Sequence, residues 1–314
     1  MKNIFTGLLG LWSLGTLLVL LSGASLPAHA GAFEEAQAAY QRADYATALR
    51  KWSRLANNGD TPSQLSLSQM YLSGTGVDKN EAEGLKWLTL AAKKGEAKTQ
   101  LALARQLDKP KADTPVLGEA AKWYLLAATQ GLAEAQWRYA DALAQGRGVA
   151  KNTLQAIHWW QMAAAQHEGH AAHQLAVTYL KGDGVPPSYV QAAKWYTVLA
   201  KQGDASAQLT LGHLYSLGQG VPQNPVEASK WYRMSAEQGH AAAQEKLATL
   251  YDQGVGLKQD WPLAFMWYEV AVASGQSSAS KARDVVASRL LPAQQDEGKF
   301  RAVDCRVRQF KACD

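Results

Sequence analysis

Little in this chain of 314 residues points to catalysis. It has two cysteines, Cys305 and Cys313, both within its last ten residues. Phenylalanine is scarce, at five residues, while tryptophan and tyrosine number eleven and twelve. The net charge of +5 is mild and no Lys/Arg block occurs, which excludes the usual nucleic-acid signatures. After residue 30 no apolar run is long enough to span a membrane. There is no G-x-S-x-G nucleophile turn and no G-K-[ST] phosphate loop. Glu34 with Glu35, and Glu81 with Glu83, are paired carboxylates on polar faces, where nothing isolates them from solvent. No catalytic residue and no cofactor are expected.

What is present begins with a leader. Lys2 precedes an apolar run from about Leu8 to Leu21, and small residues end at Ala28-His29-Ala30. That is the pattern of a secretory signal peptide cleaved after Ala30, a retained anchor being the alternative. No cysteine stands near the site for lipid attachment. The expected location is periplasmic or secreted. In an oxidising compartment two neighbouring cysteines pair more often than they catalyse.

The tryptophans set a register. Trp87, Trp123, Trp159, Trp195, Trp231 and Trp267 are each 36 residues apart. Leu88, Tyr124, Trp160, Tyr196, Tyr232 and Tyr268 follow them. Eight residues after each indole stand Gly95, Gly131, His167, Gly203, Gly239 and Gly275. A G-x-G-V or G-x-G-L series precedes five of the six, as at Gly218-Gln-Gly220-Val221. Six repeats thus tile residues 61–276. In residues 205–240, Ala207, Leu211, Leu214 and Tyr215 form one helical face, which Gly218-Gln-Gly220 stops. Pro222 and Pro225 delay the second helix to about Val226, and Gly239 ends it. Gly212 is expected to let the two helices approach closely. Such a hairpin cannot bury its apolar face alone, but stacked neighbours can. The indole reads as the main core anchor, worth at most about 4–6 kcal/mol when fully buried.

The copies AQLTLGHLYSLGQGV (207–221) and EASKWYRMSAEQG (227–239) resemble the Sel-like (Sel-one-like) repeat, a relative of the tetratricopeptide repeat. The resemblance implies an all-α fold, an α/α solenoid of stacked hairpins forming a right-handed superhelix. It implies protein binding and no single activity. Repeat two departs from the pattern, with Pro110 and Ala112 in place of the two glycines, and its charged loop reads as drift, a contact point being the alternative. Residues 31–60 resemble a tetratricopeptide-type hairpin, phased by Tyr40, Tyr45, Ala48, Leu49, Trp52 and Leu55. Residues 277–314 read as a cap, with one helix to about Leu290 and a second from about Ala293. An unbroken helix would hold Cys305 and Cys313 about 12 Å apart. A disulfide therefore requires the helix to end between them. Such a bridge is expected and is worth about 2–3 kcal/mol. Intermolecular bridging or free thiols are the alternatives.

The stretch HEGHAAH (167–173) raises the question of a metal. Its H-E-x-H spacing straddles a predicted turn and does not match the H-E-x-x-H of zinc proteases. His167 occupies a helix-ending glycine slot, so His167, His170 and His173 read as ordinary repeat positions, with zinc an outside alternative. Candidate partner-binding residues come from two polar slots of the first helix in each repeat. One holds Ser66, Gln100, Arg138, Gln174, Thr210 and Lys246. The other holds Gln69, Leu103, Asp141, Val177, His213 and Thr249. The expectation is a monomeric, non-enzymatic scaffold of the bacterial cell envelope that binds a protein or peptide and no nucleic acid. The alternative is a cell-wall-related enzyme or glycan-binding protein. Relatives linked to cell-wall or β-lactam chemistry carry a cysteine pair in each repeat, and this chain does not.

Overall fold

The computed structural model describes residues 28–110 and 112–313, so the expected leader lies outside them up to residue 27. Every regular element among the described residues is an α-helix. The order opens with α1 (Ala28–Gln41), α2 (Tyr45–Asn57), α3 (Thr61–Ser73) and α4 (Glu81–Ala92). It continues with α5 (Ala97–Leu107), α6 (Thr114–Thr129), α7 (Ala133–Gln145), α8 (Thr153–Ala164), α9 (Gly169–Lys181) and α10 (Tyr189–Lys201). The last are α11 (Ala205–Leu217), α12 (Pro225–Ala236), α13 (Ala241–Gln253), α14 (Trp261–Ala273), α15 (Ala279–Ala287) and α16 (Pro292–Val307). The chain divides into two compact units, residues 1–91 and 92–314. In the first, α1 packs on α2 and α2 on α3; in the second, each helix from α5 to α14 packs on the next.

One repeat shows why. The Asp204 carboxylate caps α11 by accepting from the Ala207 amide at 2.7 Å. Gly218, at φ 69°, closes that helix in the left-handed conformation. Asn224 then caps α12 by accepting from the Glu227 amide at 3.1 Å. Pro225 is the first helical residue rather than a delay to Val226, because proline's missing N–H costs nothing in a first turn. Gly220 does more than turn. A Cβ there would lie 2.1 Å from the Tyr189 carbonyl oxygen, so the loop rests directly on the start of helix α10 in the preceding repeat. A Cβ on Gly212 would meet the Tyr232 ring at 2.6 Å, which is the close approach its small size implies.

Burial refines the role of the indoles. Trp87, Trp195 and Trp267 are buried, but Trp123, Trp159 and Trp231 are only half-buried. The next position, Leu88, Tyr124, Trp160, Tyr196, Tyr232 or Tyr268, is buried in all six repeats. The constant anchor is thus the residue after the indole. One step around the helix turns it into the hairpin's own seam, as where Tyr232 fills the notch left by Gly212. Polar stitching runs alongside. The Gln136, Gln208 and Gln244 side chains donate to the Ala128, Ala200 and Ala236 carbonyls at 3.1–3.3 Å. Gln130, Gln166 and Gln238 in turn donate to Gln100, Gln136 and Gln208 at 2.8–2.9 Å. The first set adds a second donor to helix-end carbonyls that already accept the amides of Gly131, Gly203 and Gly239, and the second set ties the end of each hairpin to the glutamine of its first helix.

The end of the chain differs from expectation in detail. α15 stops at Ala287, three residues early, and Pro292 itself opens α16. α16 turns back onto α14 rather than α15. Gly298 lets it come close, since a Cβ there would lie 2.6 Å from the Phe265 ring. The helix ends at Val307, which allows the Cys305–Cys313 disulfide with Cα atoms 5.0 Å apart. The closing loop seats Phe310 against Gly239 at the end of α12.

Candidate partner-binding cleft

Across the first helices of the repeats, the predicted slot residues meet different fates. In the repeats around α5 to α9 they are consumed by internal bonds. The Glu134 carboxylate accepts from Arg105 Nε and from Arg138 Nε, each at 2.7 Å. Arg105, whose hydrogen bond outweighs the opposing desolvation, holds that carboxyl below its ordinary range. The Arg138 guanidinium also lies 4.4 Å from the Trp137 ring centroid. Asp141 accepts from Trp160 Nε1 at 2.8 Å and lies 2.9 Å from His170 Nε2. The repeat-two loop is part of this network: Asp108 accepts from the Tyr124 hydroxyl at 3.1 Å and pairs with Arg147. Burial, ahead of the Asp108 charge, pushes the Tyr124 phenol up. Only a small cleft of about 60 Å³ remains there.

Two slot assignments were out of register. Gln100 and Leu103 stand two residues before the positions equivalent to Arg138 and Asp141, which are Ala102 and Arg105. Gln100 and Leu103 are both buried, and Gln100 belongs to the glutamine stitching. Neither lies on an exposed ridge. Gln174 lies 3.4 Å from His170, and Val177 is half-buried. In the first unit, Ser66 and Gln69 line a separate cleft of about 310 Å³ with Tyr40 and Trp52.

In the repeats of α11 to α14 the slots open instead. Thr210 and His213 from α11 and Lys246 and Thr249 from α13 line one cleft of about 560 Å³. Its walls are apolar, formed by Leu180, Leu214, Leu217 and Leu250, and Leu217 is largely exposed at the surface. Short threonines replace the arginine and aspartate that fill the same slots earlier, and this leaves the space open. The His213 ring packs edge-on to Tyr232, with centroids 5.5 Å apart. Burial first, and the Lys246 ammonium second, depress the His213 pKa. The Tyr232 hydroxyl is tied to Ser216 Oγ at 3.4 Å, and Thr249 to the Tyr268 hydroxyl at 3.1 Å. The cleft therefore presents one imidazole, one ammonium and a greasy wall, with neither carboxylate nor thiol in its lining. That combination suits holding an apolar side chain.

The three histidines of the 167–173 stretch separate. His167 takes φ 65° in the glycine slot. His170 turns to Asp141 and lies 4.2 Å from the Trp137 ring centroid, while His173 is exposed. Among the described residues no group of three His, Cys, Asp or Glu side chains is placed to hold a metal. Sequence reasoning also missed a position outside the cleft. Met266 is fully buried where the earlier repeats carry Lys86, Lys122, His158, Lys194 and Lys230, all exposed. That change marks where α16 lands on α14.

The Sel1 repeat family matches residues 61–96, 108–132, 133–167, 169–204, 205–240 and 241–276. In the second copy the match begins only at residue 108, after α5. No curated protein is a significant match. Among solved structures, a Sel1 repeat protein from Oxalobacter formigenes is 31% identical, with a TM-score of 0.55. That alignment covers 76% of this chain and 70% of the other. A protective antigen of uropathogenic Escherichia coli strains, displaying an SLR fold, is 26% identical with a TM-score of 0.49, covering 90% of this chain and 72% of that one.

Proposed function

Because this chain belongs to the Sel1 repeat family, whose members are generally protein-interaction scaffolds, we propose that it is a non-enzymatic adaptor of the cell envelope. It holds a segment of a partner protein in the cleft between α11 and α13. One observation carries the reading: repeats five and six bring Thr210, His213, Lys246 and Thr249 around a leucine-walled opening that the earlier repeats fill with arginine and aspartate. An apolar side chain of the partner enters beside Leu214, Leu217 and Leu250, and the Lys246 ammonium meets a polar or acidic neighbour. An envelope setting is supported by the Cys305–Cys313 bridge, since cytosolic thiol buffers disfavour such bonds. It also accords with the leader pattern. No helix of the described residues is long and apolar enough to cross a membrane.

The test is a photo-crosslinking residue placed at Lys246, at Thr210 and, as a control, at Lys194 on α10, in intact cells. The expected result is one discrete adduct from the two cleft positions, none from Lys194, and its disappearance in Leu217→Asp. Equal labelling from all three positions, or an adduct indifferent to Leu217→Asp, sinks the assignment.

A further inference from the structure

The first unit holds a groove of different chemistry from the cleft of α11 and α13. It measures about 310 Å³ and is lined by α1, α2 and α3. Gln37 and Tyr40 stand one helical turn apart on α1, and Ser66 and Gln69 stand likewise on α3. Leu65 adds to the α3 wall, and Trp52 of α2, only 2% exposed, lies between the two helices that α2 packs against. The Tyr40 ring rests on both Trp52 and Tyr45, with centroids 5.4 and 5.3 Å away, which fixes it as a wall.

The lining contains no charged side chain, and α3 carries no charged residue along its whole length. The charge nearest by helical spacing on α1 is Glu34, one turn before Gln37. Ser66 and Gln69 occupy the slots that Arg138 and Asp141 fill in the closed part of the second unit. The Ser66 hydroxyl donates to the Pro62 carbonyl at 3.0 Å. The other polar groups are uncommitted: among the described residues, the Gln37 and Gln69 carboxamides and the Tyr40 hydroxyl meet no hydrogen-bond partner.

We propose that this groove binds a proline-rich segment in the polyproline II conformation. Such a segment makes no internal hydrogen bonds, and its prolines bring carbonyls without N–H groups. It therefore asks for donors, which two carboxamides and a phenol supply. Its flat rings pack against Tyr40 and Leu65, the mode of aromatic-lined grooves that read such helices. Stiffness matters as much as chemistry. So small a groove, with so few polar groups, offsets little of the entropy lost by a flexible strand, whereas a polyproline helix is ordered beforehand. A charged peptide finds no counter-ion in the lining. A sugar finds no open aromatic platform, because Trp52 is buried and Tyr40 is half-buried. The groove belongs to the other unit from the cleft of α11 and α13, so either assignment stands without the other.

Fluorescence anisotropy of a labelled peptide of about nine prolines, three turns of such a helix, tests this with the oxidised protein. Saturable binding is expected, with none to a glycine–serine peptide of equal length. Gln37→Ala with Gln69→Ala should weaken binding about thirty-fold, from roughly five-fold per hydrogen bond lost. Tyr40→Phe keeps the wall, removes only the hydroxyl, and should weaken binding about five-fold. Gln155→Ala with Gln191→Ala, on α8 and α10, should change nothing. Gln69 is exposed and Gln37 half-buried, so unchanged helical ellipticity and melting confirm the fold in each variant. The proposal is overturned by no binding at about 1 mM peptide, by equal binding of the glycine–serine peptide, or by binding that survives both sets of substitutions. It is also overturned if Gln37 and Gln69 instead control retention of a chitin oligosaccharide or dimer formation while the proline peptide stays unbound.

Discussion

Restoring a lysine at Met266 should lift α16 off the repeat stack. In five earlier repeats this slot carries Lys or His and stays exposed, although a further helix follows each hairpin. What is added at the last repeat is α16, and there Met266 and Val270 are both fully buried. Their surroundings include Phe265, Val286, Leu290 and Ala302 in one core cluster. Met266→Lys removes about 1.5–3 kcal/mol of apolar burial. It also places an ammonium in a fully buried apolar cluster, which costs several kcal/mol more. The lysine stem recovers part of this by bending its charge toward solvent. A net of about 3–5 kcal/mol remains, enough to undock one helix while leaving the hairpins behind it folded. Hydrogen exchange read by mass spectrometry is the assay. Amides of residues 294–307 should exchange orders of magnitude faster in the variant, with those of α9 to α12 unchanged and the disulfide intact. The converse change, Lys230→Met, should alter stability by no more than about 0.5 kcal/mol. If α16 keeps its protection in Met266→Lys, the reasoning about what covers this slot is wrong.

Three further outcomes follow from the geometry. Gly220→Ala should cost more than about 4 kcal/mol, because positive φ and a 2.1 Å approach to the Tyr189 oxygen coincide; Gly203→Ala, at φ 97° with open space around it, should cost about 1 kcal/mol. Urea midpoints compare them, and equal losses would contradict the stacking role of the loop. Cys305→Ser with Cys313→Ser should lower stability by about 2–3 kcal/mol and free Phe310 from Gly239, visible as faster exchange after Arg308. The His213 imidazole, its pKa depressed in the folded chain, leaves stability intact above about pH 6.5, where the unfolded state begins to protonate, and lost as pH falls below it. The drop in urea midpoint between pH 7.5 and 5.5 should therefore shrink in His213→Gln; an undiminished drop would assign the acid sensitivity elsewhere.

The hairpins were legible because their boundaries are written locally. Gly218 and Gly239 end helices through backbone freedom that glycine has at little cost, and the 36-residue interval repeats each of them in five of the six copies. The depth of each indole was not legible. Trp231 and Trp267 share a slot, yet one is half-buried and the other fully covered, because coverage comes from the residues that pack over the hairpin. Met266 was a readable clue to that cover: a methionine standing where five repeats keep a basic residue marks a face that has lost its water.

The binding slots test the limits of register itself. Gln100 and Leu103 were misplaced in the one repeat whose loop lacks both glycines, where Asp108 and Pro110 rather than a glycine mark the end of α5. Counting 36 back from Arg138 and Asp141 reaches Ala102 and Arg105 instead. Arg105 then explains why that part of the stack is closed, since it reaches across to Glu134 and draws Arg138 into the same pair. The cleft three repeats on is the negative of this arrangement. Thr210 and His213 are too short or too weakly charged to bridge to Lys246 and Thr249, so the gap between α11 and α13 stays open and leucine-lined. A slot that varies while its frame is constant marks recognition only where the variants fail to satisfy one another, and that is a property of pairs across helices, which no single position reveals.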